Sequence, residues 1–407
     1  MITVVGASLA GLTAARELRA SGVTDSIAFV GAETWLPYDR PPLSKDVLLE
    51  SFPEPDPDAN GTDPGATGLL LDGEVDTFDW HLGVAADGLS VATDGISVRR
   101  GDHCAVGPAD AVIIATGARG RTLIGADLDG VHVLRTLDDA RALAADLRRA
   151  RHVVLIGGGF IGAEIASTAR LLGAEVAIVE ATEIPGAAVL GVDVARWTLS
   201  RHALAGVSVH TGAAVETIDG AAGRARSVTL GDGRILEADV VVVGIGSVPD
   251  TDWAAESGIA LDDGFVTDAH GETSMPGVFA VGDCARSFDP ATGTHVRRQH
   301  WGSAVDQARV VARRIAGLEP PPRRTPYFWS DQYGHRLQIC GHIPVGVVPQ
   351  VLDGSMDHGA TQGFLAVFGD RDLPTAVVAV DRPRDFLRLR KTIDRALDAS
   401  SRPVAHA

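Results

Sequence analysis

Twice along this chain a short run of β-branched residues is followed by a glycine-rich turn and then by an alanine-rich stretch of helical spacing. The first passage runs from Ile2–Val5 through Gly6-Ala7-Ser8-Leu9-Ala10-Gly11, the second from Val153–Ile156 through Gly157-Gly158-Gly159-Phe160-Ile161-Gly162. Unbroken apolar runs bounded by turns are the pattern of strands covered on both faces, as in a parallel sheet. Each passage therefore predicts strand, tight turn and helix. Ala111–Ala115, Glu175–Val179 and Val240–Val243 read as further buried strands.

Beyond the second unit the pattern changes. Gly277 to Asp283 reads as a strand ending in Gly-Asp, and Trp301 to Ile315 as a helix. These make sense as the first domain resuming after the second was inserted into it. Gly317 to Arg324, with three consecutive prolines, is a linker; from Tyr327 on, short strands (Leu337–Ile339, Val345–Leu352, Ala376–Val380) precede a basic helix, Arg384–Leu397. Between Ser51 and Gly68, density in Pro, Asp and Gly predicts a surface excursion. The expected fold is α/β, with two Rossmann-like dinucleotide-binding domains and a C-terminal α+β domain. The expected boundaries are 1–118 and 246–317 for the first domain, 119–245 for the inserted one and 325–407 for the last.

A chain of 407 residues exceeds what one core supports. Its net charge of −17 argues against nucleic acid, because neutralising phosphates needs Lys and Arg in excess. No segment approaches about 20 uninterrupted apolar residues and the first strand begins at once, so neither a membrane span nor a secretion signal is expected, and the location is read as cytoplasmic. Cys104, Cys284 and Cys340 are far apart in sequence, with no CxxC. That spacing excludes a clustered metal site and an adjoining dithiol relay, and leaves three small reduced hydrophobes.

The chemistry lies in the loops. Glycine lets a turn tighten and lets the first amides of the following helix face a pyrophosphate. Ser8 takes the middle glycine position of the first loop, where its hydroxyl can itself meet phosphate. An acid follows each loop at about the ~20-residue interval of a ribose-binding carboxylate: Glu33, then Glu180. Glu180 would accept ribose hydroxyls and repel a 2′-phosphate, and no arginine lies in 181–190, so NADH is expected over NADPH. Tyr38-Asp39-Arg40-Pro41-Pro42-Leu43-Ser44-Lys45 holds two cations on a proline-stiffened segment, suited to an anion developing on a cofactor or to capping a helix at Ser44. Glu164 is expected in the first turn of its helix, where a carboxylate suits the dipole.

These segments occur in a recognisable order: GASLAG, RPPLSK, Ala115-Thr116-Gly117, Leu134-Arg135-Thr136, GGGFIGAE, GVFAVGD and Tyr327-Phe328-Trp329-Ser330-Asp331-Gln332-Tyr333-Gly334. The chain resembles the FAD-dependent, NADH-dependent ferredoxin reductases of the putidaredoxin reductase type over nearly its whole length. The resemblance implies that Gly6 to Gly11 hold the FAD pyrophosphate and Glu33 the adenosine ribose. Arg40 and Lys45 would lie on the flavin side, and Val84, Ala115, Thr116 and Gly117 would line the cofactor. Arg135 would sit at the crossover between domains, with Gly282 and Asp283 at the ribityl chain and His300 and Trp301 against the isoalloxazine. The usual acid before that pair is Gln299 here. Gly157, Gly159, Phe160, Ile161, Gly162, Glu180 and Gly246 would serve NAD(H), and Glu164 would pair with Lys45 beside the nicotinamide. Trp329 would lie between flavin and partner surface.

With no dithiol, electrons must leave singly to an external carrier, and a 2Fe–2S ferredoxin is the expected partner of a monomer or weak homodimer. Arg297-Arg298 and the basic helix (Arg382, Arg384, Arg388, Arg390, Lys391) are candidate docking cations for an acidic ferredoxin. Rubredoxin or oxygen as acceptor, and a binding role like that of apoptosis-inducing factor, are the competing readings.

Overall fold

The computed structural model describes residues 1–50, 63–92, 95–101, 103–357, 359–360 and 362–401. Most of the expected surface excursion, residues 51–62, lies outside them. The chain divides into two compact units, one formed by Met1–Asp39, Pro55–Arg119 and Ser247–Pro322, the other by Arg40–Glu54, Gly120–Gly246 and Arg323–Ala407.

The first unit is built on a five-stranded parallel sheet ordered Val278–Ala280, Ala111–Ile114, Ile2–Val5, Ile27–Gly31, Asp79–Leu82. Its central strands are buried at every position, which is why they read as unbroken apolar runs. The chain leaves Ile2–Val5 to pair first on one side, with Ile27–Gly31, and later on the other, with Ala111–Ile114. That reversal puts a crevice at the carboxyl ends of the strands, the usual ligand position of an open α/β sheet. Helices Leu9–Ala20 and Trp301–Ile315 pack on this sheet through Ala14, Ala15, Ala308 and Ala312, all fully buried. The resumed segment thus shares one core with the first glycine loop, including Leu18, Phe29, Ile113 and Val311.

The second unit carries a second five-stranded parallel sheet, ordered Ser208–His210, Glu175–Val179, His152–Ile156, Val240–Val243, Val131–His132. It also holds an antiparallel sheet ordered Tyr327–Gln332, His335–Gly341, Pro374–Val380, Phe364–Gly369, Gln350–Gly354, followed by the helix Pro383–Ser401. Trp197 and Leu190 from the first of these portions share a core with Phe364, Phe368 and Val378 from the other.

One expected strand is displaced. Val345–Leu352 does not pair throughout: the strand is Gln350–Gly354, and Val345 and Val348 are 97% and 72% exposed. Pro344 and Pro349 offer no N–H to a ladder, so the β-branched run between them becomes a loop despite its propensity.

Candidate functional site

In the first unit the glycine loop is a cradle by steric necessity. Gly6 has φ +116, and a Cβ on it would overlap the Ala115 carbonyl oxygen; one on Gly11 would lie 2.5 Å from the Gly6 carbonyl oxygen. The loop is therefore pressed against the Ala115-Thr116-Gly117 segment. Ser8 is the N-cap of the helix Leu9–Ala20 in extended conformation, yet its side chain makes no cap hydrogen bond. Helix-N-terminal amides left uncapped by that hydroxyl are what a pyrophosphate needs. Ala7 closes on Gly31, where a Cβ would come within 2.8 Å of the Ala7 methyl. Leu9 and Ala10 begin the helix, with Ala10 buried.

Around this loop, Glu33 follows the strand Ile27–Gly31 and accepts a hydrogen bond from the Tyr38 hydroxyl at 2.5 Å. The Val84 N–H donates to the Gly31 carbonyl at 2.8 Å. The Thr116 hydroxyl donates to the Asp250 carbonyl at 2.8 Å, and the Asp250 N–H to the Gly117 carbonyl at 3.0 Å. Gly282 adopts φ +77, and its N–H donates to the Gln307 side chain at 2.7 Å, leaving Asp283 partly exposed on the short turn that follows. His300 takes the N-cap position of the helix Trp301–Ile315 without a side-chain cap bond, and burial holds its imidazole below the ordinary value. Trp301, 39% exposed, donates its indole N–H to Asp39 at 2.9 Å. Gln299 meets the Ser247 hydroxyl at 2.8 Å. The residues expected around a flavin dinucleotide on this unit thus gather at one end of its sheet, in a cradle that fits a pyrophosphate.

The second unit repeats the cradle. Gly157 has φ +106 and a Cβ on it would overlap the Gly244 carbonyl oxygen; one on Gly162 would overlap the Gly157 carbonyl. A Cβ on Gly159 would meet nothing within 4 Å, so this position faces open space over the helix N-terminus. Glu180 is held at the loop by the Gly158 N–H (2.8 Å) and by the Thr182 N–H and hydroxyl (2.8 and 2.9 Å). Ile161 is exposed, while Phe160 packs edge-on against Phe328 at 5.0 Å. The Gly246 carbonyl accepts from the Arg121 N–H at 3.0 Å. The fit to a second dinucleotide is as good as the first.

The stretch Arg40–Glu54 belongs to this second unit, which brings RPPLSK to Glu164. Lys45 Nζ lies 2.8 Å from Glu164 Oε2 and also donates to the Pro41 carbonyl at 2.9 Å. Arg40 donates to the Arg135 carbonyl at 2.5 Å. Glu164 is not in the first helical turn as expected, where no acid occurs; it sits a turn further along Phe160–Leu171 and is buried. Ser44 caps no helix: its hydroxyl donates to Glu164 Oε2 at 2.5 Å. Ser330, whose contact with Glu164 is 2.7 Å, and the Asp331 N–H complete the set. Sequence reasoning missed Ser44, Ser330 and Gln332 as parts of this cluster. The only signal was their place inside two marked segments, RPPLSK and FWSDQYG. Trp329 stacks on Tyr327 at 5.7 Å, and Arg390 lies 4.5 Å over the Tyr327 ring.

The three thiols are free. Burial pushes Cys284 up to about 11 and Cys340 up to about 12, so neither offers a thiolate near neutrality. Of the candidate docking cations, Arg297 pairs with Asp263 (3.0 Å), Arg298 with Asp289 (2.5 Å), Arg382 with Asp353 (2.7 Å) and Arg388 with Asp385 (3.2 Å). Arg384 and Lys391 are exposed on the basic helix. Among the described residues no helix is long and apolar enough to cross a membrane, and no His, Cys, Asp or Glu group could hold a metal ion.

Two parallel-sheet nucleotide folds with an antiparallel C-terminal sheet define a class, and the chain belongs to the pyridine nucleotide-disulphide oxidoreductase family, whose model matches residues 1–308. Residues 327–407 match the reductase C-terminal family. The chain is 37% identical to rhodocoxin reductase of Rhodococcus erythropolis, over 96% of its own length and 89% of that protein's. It is likewise 37% identical to the ferredoxin reductase component of chlorobenzene dioxygenase from Cupriavidus sp. (strain PS12), over 97% and 92%. Its fold matches the covalent putidaredoxin reductase–putidaredoxin complex with a TM-score of 0.86 at 29% identity, covering 98% of this chain and 95% of that one.

Proposed function

We propose that the protein is an NADH-dependent ferredoxin reductase of an oxygenase system, binding FAD on the first unit and NADH on the second. The observation that carries this reading is a pair of sterically enforced dinucleotide cradles in a chain whose buried thiols are inert. Two electrons taken from a nicotinamide have no cysteine pair to reduce, so the acceptor is external. FAD, when bound, supplies the change from two-electron to one-electron chemistry. The chain's own residues bind and orient: Gly6 to Gly11 hold one pyrophosphate, Glu33 a ribose, and Asp283 the ribityl side. Gly157 to Gly162 hold the other pyrophosphate, with Glu180 directed at the adenosine ribose. Lys45 and Glu164 fix the nicotinamide end, and Trp301 and His300 present a neutral surface to the flavin ring. Exposed Arg384 and Lys391 supply the cations for a 2Fe–2S ferredoxin, the protein acting in the cytoplasm.

The test is anaerobic reduction of the purified flavoprotein by NADH, followed by reoxidation with 2Fe–2S ferredoxins, rubredoxin or air. Rapid reoxidation by a ferredoxin and slow reoxidation by air is the expected result. No bleaching by NADH would end the reading, and a faster reaction with rubredoxin or oxygen would redirect it.

A further inference from the structure

The Glu164 carboxylate has two oxygens with about four lone-pair positions, and all four are taken. Oε2 accepts from the Ser44 hydroxyl (2.5 Å) and pairs with Lys45 (2.8 Å); Oε1 accepts from the Ser330 hydroxyl (2.7 Å) and the Asp331 N–H (3.2 Å). Two of these donors come from the RPPLSK segment and two from the first strand of the C-terminal sheet.

We infer that Ser330 is a positioning residue for Glu164, and through it for Lys45, so that the C-terminal sheet takes part in the nicotinamide half of the reaction. This rests on the reading of the chain as an NADH-dependent reductase. Ser330 is fully buried, and its hydroxyl has one hydrogen. Gln332 Nε2 donates to that oxygen at 2.9 Å, which occupies a lone pair and leaves the hydrogen directed at Glu164. The backbone carrying both residues is fixed: Ser330 is in register with Leu337 on the neighbouring strand, and the Tyr333 N–H donates to Ser167 on the Glu164 helix at 2.8 Å. Thr168, on the same helix, donates to the Ser44 carbonyl at 3.1 Å and ties the other donor segment.

Without the Ser330 hydroxyl, Oε1 keeps only its longest contact. The terminal carboxylate torsion is soft, so its plane can then turn and move Oε2 away from Lys45. Both hydrogen bonds to Oε1 are assisted by the carboxylate charge, and the Ser330 contact, at 2.7 Å against 3.2 Å, is the stronger of the two restraints. A site residue on a rigid strand holds such geometry better than one on a loop.

The experiment compares wild type, Ser330→Ala, Ser330→Thr and Gln332→Leu as FAD holoenzymes. Flavin reduction is followed by anaerobic stopped flow with NADH and with NADH deuterated at the transferred position, the KM for ferredoxin in the steady state. Ser330→Ala should slow the isotope-sensitive step about 5- to 20-fold, the loss of one hydrogen bond to a charged group. Ser330→Thr should recover most of it, Gln332→Leu should give a smaller loss, and the KM for ferredoxin should not move. Thermal melting supplies a second readout: with Glu164→Gln present, Ser330→Ala should lower the midpoint little further. Wild-type reduction rates in Ser330→Ala, or additive melting losses, would overturn the inference alone. Failure of NADH to reduce the wild type would overturn the functional reading and this inference with it.

Discussion

Replacing Glu164 by Gln keeps the shape of the side chain and removes its charge, and the surrounding donors make the outcome calculable. An amide has one acceptor oxygen and one donor nitrogen. If the nitrogen takes the Oε2 position it faces the Lys45 ammonium, 2.8 Å away, which cannot accept. If it takes the Oε1 position it faces the Asp331 N–H at 3.2 Å, which cannot accept either. Either rotamer leaves a donor opposed to a donor, and Lys45 loses its counter-charge while its side chain is only 17% exposed. Breaking a buried ion pair costs about 3–5 kcal/mol, and the residual exposure of Lys45 reduces that to about 2–3 kcal/mol. At about 2–4 °C per kcal/mol for units of this size, the melting midpoint should fall by about 5–10 °C. If the same distortion reaches the nicotinamide contact, NADH-driven bleaching should slow by one to two decades, since about 1.4 kcal/mol is a factor of ten. Differential scanning calorimetry and anaerobic stopped flow measure the two effects on one preparation. A Glu164→Gln protein that melts and bleaches like wild type would refute the assignment of Glu164 as an anchored charge, and with it the role given to Lys45.

Three further outcomes follow from other contacts. Gly159→Ala should melt like wild type, because its Cβ meets no protein atom within 4 Å, yet raise the KM for NADH several-fold by filling the pyrophosphate space; Gly157→Ala, which collides with the Gly244 carbonyl at φ +106, should instead fold poorly. Substituting Glu180 by Ser should lower the NADH-over-NADPH ratio of kcat/KM by at least about tenfold, and an unchanged ratio in steady-state kinetics would remove Glu180 from the ribose site. Burial holds His202 down at about 4, against an ordinary 6.5, so its neutral form is favoured in the fold. Stability from this residue is full above about pH 6.5 and is lost as pH falls towards 4, by about 2 kcal/mol between pH 7 and pH 5. Denaturant midpoints at those two pH values should therefore converge in His202→Gln, which also lacks the 2.7 Å contact with Tyr333.

The parallel sheets were legible because every position of Ile2–Val5 and Val240–Val243 is buried, and doubly covered strands leave a pattern that needs no tertiary information. The helix Trp301–Ile315 was legible to the residue, its buried face repeating at Ala304, Ala308, Val311 and Ala312. The loop at Val345 was misread because β-propensity was weighed above two prolines. Glu164 and Lys45 could be paired in advance only through the family resemblance. Residues so far apart in sequence cannot be placed together by local patterns, and the same holds for Ser44 and Ser330, whose hydroxyls are chemically unremarkable until the fold directs both at one carboxylate. The docking cations show a different limit: a run of arginines looks basic in sequence, and the local pattern does not reveal that five of them, Arg297, Arg298, Arg382, Arg388 and Arg390, stand beside aspartates.

The segment beginning at Arg40 is covalently continuous with the first glycine loop but belongs to the compact unit of the second. For recombination among relatives this sets the seams. A chimaera that exchanges residues 120–246 alone would import a foreign Glu164 while retaining the native Lys45, Ser44 and Ser330, splitting one charge cluster between two parents. Only a three-piece transplant, taking the Arg40 segment, the inserted nucleotide fold and the C-terminal sheet together, respects the grouping of the chain. Exchange of coenzyme preference by domain shuffling is thus constrained less by the inserted fold than by the two flanking pieces that travel with it.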